Sequence, residues 1–126
     1  MNNNSTSVNV VNIAQKLSLF SEHWNPKIIG ELNDHKVQAV KLKGPFQWRH
    51  HENEDEMFLV IKGCLTIHFR DRDVEVNAGE FVVIPHLLEH MPEAPEEVEI
   101  LLIEPKTALN TGNIQSDKTV ANQEKL

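Results

Sequence analysis

Between Pro26 and Pro105 the chain falls into short runs of Val, Ile, Leu and Phe, interrupted every five to ten residues by turn-forming residues. That rhythm admits little besides an all-β domain. Strands are expected at Lys27 to Leu32, Lys36 to Leu42, Phe46 to His51, Glu56 to Lys62, Cys64 to Arg70, Val74 to Val76, Glu80 to Ile84, briefly at His90, and at Val98 to Glu104. The breaks carry turn chemistry: Asn33-Asp34, Gly44-Pro45, Gly63, Asp71 to Asp73, Ala78-Gly79, Pro85 to Glu89 and Pro92 to Pro95. About nine short strands with tight connections predict a small antiparallel barrel or a double-sheet jelly roll, which also limits exposed edges.

The flanks differ. Residues 1 to 8 are small and polar, the composition of a mobile terminus. Val10, Ile13, Ala14, Leu17 and Phe20 then recur at helical spacing behind Asn9 as a cap, so one amphipathic helix is expected over about 9 to 21, covering a sheet or a subunit interface. From 106 to 126 the chain is polar and without a period. With no internal repeat, the 126 residues read as a single domain with its barrel at about 27 to 105, long enough to bury a core without staples.

Charge and cysteine usage narrow the partners. Nineteen acidic against twelve basic residues give a formal charge of -7, which opposes attraction to nucleic acid or anionic lipid. No apolar run reaches the roughly 20 residues of a membrane span, and the start lacks the regions of a signal peptide, so a cytoplasmic location is expected. The one cysteine, Cys64, reads as a small buried hydrophobe.

Chemistry is concentrated in Arg49-His50-His51-Glu52-Asn53-Glu54-Asp55-Glu56, which holds two imidazoles and four carboxylates between two extended segments. Divalent transition metals take imidazole nitrogen and carboxylate oxygen from rigid elements. A hairpin through Asn53 to Asp55 would bring His51 opposite Glu56, and His90 is the best outside candidate for a third ligand. On spacing alone, a merely solvated His and Glu cluster is as good a reading. His23, His35 and His68 read as ordinary solvated or packed histidines, and the acidic residues Glu93, Glu96, Glu97 and Glu99 as a solvated face.

Two glycine-anchored segments add to this reading: Gly44-x5-His50-x-Glu52-x3-Glu56-x6-Gly63 and Gly79-x5-Pro85-x-Leu87-x2-His90, separated by fifteen residues. They resemble the two signature motifs of the cupin superfamily, in particular its small single-domain microbial members of the mannose-6-phosphate isomerase-like type. The resemblance implies a double-stranded β-helix barrel with a divalent metal, Fe, Mn, Zn or Ni, held by two histidines and a glutamate of the first motif and a histidine of the second. Glu56 matches the motif glutamate and His90 the second-motif histidine. Alignment on Trp48 to Glu56 puts His51 on the second histidine position and Arg49 on the first. On a strand, Arg49 and His51 share a face whereas His50 points the other way.

Arginine stays protonated and cannot coordinate a metal. Three outcomes follow: His51, Glu56 and His90 hold the metal alone; a bulge turns His50 inward as a fourth ligand; or Arg49 takes the metal's place, pairs with Glu56 and anchors an anion. They rank in that order. Two milder departures are Leu87 where the second motif has glycine and Ala94 where it has asparagine. Leu109 to Asn113 resembles a tail segment of some small cupins, implying a C-terminus folded over part of the barrel.

Cupins include isomerases, dioxygenases, decarboxylases, hydrolases, regulators and storage proteins, so fold alone does not give activity. The leading expectation is a metal-dependent isomerase or oxygenase acting on a small molecule. The alternative is a non-catalytic small-molecule or sugar-binding module with Arg49 as anion anchor and no metal. By the same resemblance a homodimer is expected, formed through the N-terminal strands and helix.

Overall fold

The computed structural model describes residues 8–126; apart from Val8, the expectation for the first eight residues falls outside the described residues. The alternation becomes seven strands: β1 Lys27–Leu32, β2 His35–Pro45, β3 Glu56–Lys62, β4 Cys64–His68, β5 Asp73–Asn77, β6 Phe81–Ile84 and β7 Met91–Pro105. Antiparallel pairing runs β1-β2-β7-β3-β6, and β4 pairs with both β5 and the start of β7. Because β7 meets β2 along most of its length, β4 with its first residues and β3 with its last, it ties the strands into a jelly-roll barrel.

Period-two alternation decides what faces inward. Leu65 and Ile67 of β4 are fully buried and Phe69 nearly so, as their shared face predicts. They join Phe58, Val60, Ile100 and others in the cluster filling the barrel. Each such side chain removed from water contributes about 1.5–3 kcal/mol. The outer face of the same sheet is covered separately. Leu17 of the helix α1, Ile13–Leu17, packs with Ile29, Ala39 and Leu101, with Leu126 of the tail added at the margin.

The helix is shorter than its period suggests. Asn12, not Asn9, is the cap, accepting a 2.9 Å hydrogen bond from the Gln15 amide. The β-branched Val8, Val10 and Val11 before it are poor helix formers and lie exposed. The stretch expected as a strand from Phe46 to His51 makes only one isolated bridge, Arg49 to His90. Conversely, the turn expected at Pro92 to Pro95 is absorbed into β7. Leu42 pairs with Val98 and Gly44 with Ala94, so Pro95, Glu96 and Glu97 oppose Lys43 alone, a bulge in which proline need not donate. Cys64 is exposed rather than buried, because parity with the inward Leu65 turns it outward beside Glu75.

The tail is more ordered than its composition implies. It folds back over the barrel: Asn113 exchanges hydrogen bonds with the backbone of His50 (2.8 and 3.0 Å), and the Leu126 amide donates to the Ile28 carbonyl. Gly112 has φ +63°, and a Cβ there would lie 2.5 Å from the His50 carbonyl oxygen.

Candidate metal centre

Four inward side chains meet at one end of the barrel interior. Arg49 and His51 come from the segment before β3, Glu56 from the first position of β3, and His90 from the residue before β7. All four are buried. Strand parity therefore holds through this segment even though it forms no continuous strand. His50 points the other way, half-buried, with Nε2 3.5 Å from Glu52, so it is not brought to the cluster.

Glu56 is the centre of the arrangement, and its two oxygens serve different neighbours. Oε1 lies 2.7 Å from His90 Nε2 and 3.3 Å from Arg49 Nη2. Oε2 lies 3.2 Å from His51 Nε2, close but out of line for a hydrogen bond, so both atoms lack a hydrogen-bond partner. Burial works against this carboxylate, yet the Arg49 charge and the two histidines outweigh it and hold Glu56 well below the usual carboxylate range. Burial likewise works against charge on His51, and the adjacent Glu56 carboxylate more than offsets it, raising its pKa. His90 is held on both sides of its ring, with Nδ1 2.8 Å from the Leu88 carbonyl and Nε2 2.7 Å from Glu56 Oε1.

A fifth residue, absent from the motif reading, completes the cluster. Glu104 of β7 is wholly buried, with Oε1 4.0 Å from His51 Nε2. Its Oε2 accepts from Gln38 at 3.1 Å and lies 3.7 Å from Lys36 Nζ. Burial first, and the Glu56 charge second, push its pKa up to about 8, with Lys36 opposing. Its position was available from parity: Val98, Ile100 and Leu102 face inward, and Glu104 is the next residue of that series.

His51, Glu56 and Glu104 each offer one atom within 4.8 Å of the other two, a possible metal site. His51 Nε2, Glu56 Oε2 and Glu104 Oε1 are all buried without a hydrogen-bond partner, and polar atoms left so are costly unless something fills the space between them. The donor set of imidazole and carboxylate suits a divalent metal. The residues present therefore fit one.

Two spaces adjoin the cluster. On the Arg49 side, Trp24, Val40, Leu42, Phe46, Phe58 and Ile100 wall an apolar cavity with only about 20 Å³ free, room for about one water. On the His51 side an open mouth of about 190 Å³ is lined by polar residues, including Asn53, Glu54, Thr107 and Asn113.

The cupin domain (Cupin_2) family model matches residues 37–104. The chain belongs to the cupin family. It is 46% identical to a cupin-2 domain containing protein from Shewanella frigidimarina NCIMB 400, with a TM-score of 0.76 over 77% of this chain and 95% of that one. A crystal structure from Neisseria meningitidis is 27% identical, with a TM-score of 0.72 over 78% of this chain and all of that one. The uncharacterized protein YdbB of Bacillus subtilis (strain 168) is 35% identical over 81 residues, 64% of this chain and 72% of its own. Among the described residues no helix is long and apolar enough to cross a membrane.

Proposed function

We propose that this cupin is a metal-dependent enzyme of the isomerase or oxygenase kind, acting on a small molecule that enters through the mouth beside His51. His51 and Glu56 would hold the metal, and His90, the motif's further ligand, would have to turn to reach it, because its Nε2 sits against Oε1 of Glu56 and outside the group whose ligand atoms converge. The observation that carries this reading is the pair of orphaned buried atoms, His51 Nε2 and Glu56 Oε2, facing each other with no hydrogen bond to satisfy either. A divalent metal bound there supplies Lewis-acid or oxygen-activating chemistry.

The chain's own residues prepare for that chemistry. The Leu88 carbonyl, 2.8 Å from His90 Nδ1, orients the ring so that Nε2 faces the cluster. Arg49 keeps Glu56 ionised, and so able to ligate, despite complete burial. The apolar wall around Phe46 and Phe58 leaves room for about one water on the inner side, while Asn53, Thr107 and Asn113 offer hydrogen bonds to a polar small molecule at the mouth.

The non-catalytic reading, a metal-free anion-binding module, draws support from the Arg49 to Glu56 pair and from the Arg49 Nε, which is buried and unpartnered. It requires the inner cavity, with only about 20 Å³ free, to widen for an anion to reach the guanidinium. Elemental analysis of untagged protein separates the two. About one divalent metal ion per chain is expected, with loss on His51→Ala or Glu56→Gln and retention on His50→Ala; a chain that stays metal-free after reconstitution sinks the enzyme reading. Turnover of sugar, keto-acid and phenolic substrates under air and under nitrogen then distinguishes oxygenase from isomerase.

A further inference from the structure

We propose that Glu104, which lies outside both sequence motifs, is a ligand of that metal, and that it makes the centre oxygen-rich enough to favour Mn2+ or Fe2+ more than a histidine-rich cupin site does. The inference rests on the reading of a metal at His51 and Glu56, and adds a ligand and a metal preference to it.

The geometry is that of a carboxylate held for use. Glu104 pairs across the sheet with Lys36, and its inward side chain has no exposed surface. Gln38 Nε2 fastens Oε2 at 3.1 Å, and Gln38 is fastened in turn by Gln123 of the tail at 2.8 Å. That leaves Oε1 aimed at the cluster with no partner of its own. Its 4.0 Å to His51 Nε2 lies within the span of about 3 to 4.2 Å that separates two ligand atoms around one ion with bonds of about 2.1 Å.

Two features show why a ligand is wanted at this place. Arg49 stands at the position of the first motif's histidine and donates to Glu56 instead of facing the ion, so the motifs alone leave the centre a ligand short. Glu104 approaches from the opposite oxygen of Glu56, the side where the orphaned atoms converge. Furthermore, the two buried carboxylates repel each other, and a cation between them turns that repulsion into binding. Exchanging one imidazole for a carboxylate moves the donor set from nitrogen toward oxygen, the preference of Mn2+ over Ni2+ or Cu2+.

The test is a Mn2+ titration of the full chain, stripped of metal, followed by the electron paramagnetic resonance of free Mn2+, with Ni2+ as competitor. Glu104→Gln keeps the acceptor for Gln38 and removes the charge; it is expected to weaken Mn2+ binding by about 100-fold or more, at or above the upper end of what losing a supporting outer partner costs. Glu104→His is expected to shift the Mn2+ to Ni2+ affinity ratio toward Ni2+. Gln38→Leu, which frees the Glu104 carboxylate without removing it, is expected to cost about 10-fold. Circular dichroism of each metal-free variant confirms that it is folded. If His51→Ala loses Mn2+ while Glu104→Gln binds it within about twofold of the parent, Glu104 is not a ligand and only this inference falls. If the parent chain binds neither Mn2+ nor Ni2+, the metal reading itself falls and takes this inference with it.

Discussion

Leu87 holds a left-handed backbone, φ 71°, at the second-motif position where cupins usually carry glycine, and its side chain is exposed. For a residue with a Cβ that conformation costs about 1–2 kcal/mol, part of which glycine would return as lost chain entropy. The turn is kept because the Leu87 amide donates to the His51 carbonyl at 2.7 Å, tying the second motif to the first. Leu87→Gly is therefore expected to stabilise the protein by about 0.5–1 kcal/mol, read as a raised urea midpoint with metal content unchanged. A lowered midpoint would show that the strain is repaid elsewhere. At this scale the inward pair Arg49 and His51 and the outward His50 were legible from parity alone. Glu104 obeys the same parity, but it stands alone at the end of an apolar run, where no local cluster of charge marks it as a ligand.

Among the elements, β4 is held to its neighbours by a polar clip as well as by its ladder. His68 Nε2 lies 2.7 Å from Glu93 of β7, and Nδ1 2.7 Å from Asp73 of β5. Glu93 first and Asp73 second raise the His68 pKa. A raised folded value means that the clip contributes fully below the unfolded value of about 6.5 and is lost as pH climbs through the folded one. The urea midpoint of the parent should exceed that of His68→Gln at about pH 5.5, and the gap should close by about pH 9. A gap independent of pH would mean that His68 acts by packing. The limits of β1 and β3 follow directly from alternation between turn residues. Those of β7 do not, because Pro92 and Pro95 signal a turn locally while pairing with β2 and β4 on either side of a bulge keeps the strand continuous. That outcome belongs to the partner strands and is invisible within the segment.

At the scale of the whole molecule, the tail joins the barrel to the site. Lys36 donates to the Ala108 carbonyl and to Gln123, and Asn113 brackets His50, so residues beyond the barrel fix the mouth that leads to His51. A polar composition concealed this, because each of those bonds has its partner on a distant strand. Gly112→Ala should force the tail off His50, destabilising the protein by about 1–3 kcal/mol and speeding proteolysis within residues 106 to 126. Unchanged proteolysis would show that the segment yields without lifting.

One carboxylate divides the interior between a narrow apolar pocket behind Arg49 and a wider polar mouth beside His51, with a separate oxygen of Glu56 turned to each. A cation bound beside His51 would therefore take Oε2 while Arg49 keeps Oε1, so the carboxylate need not give up its guanidinium partner in order to ligate.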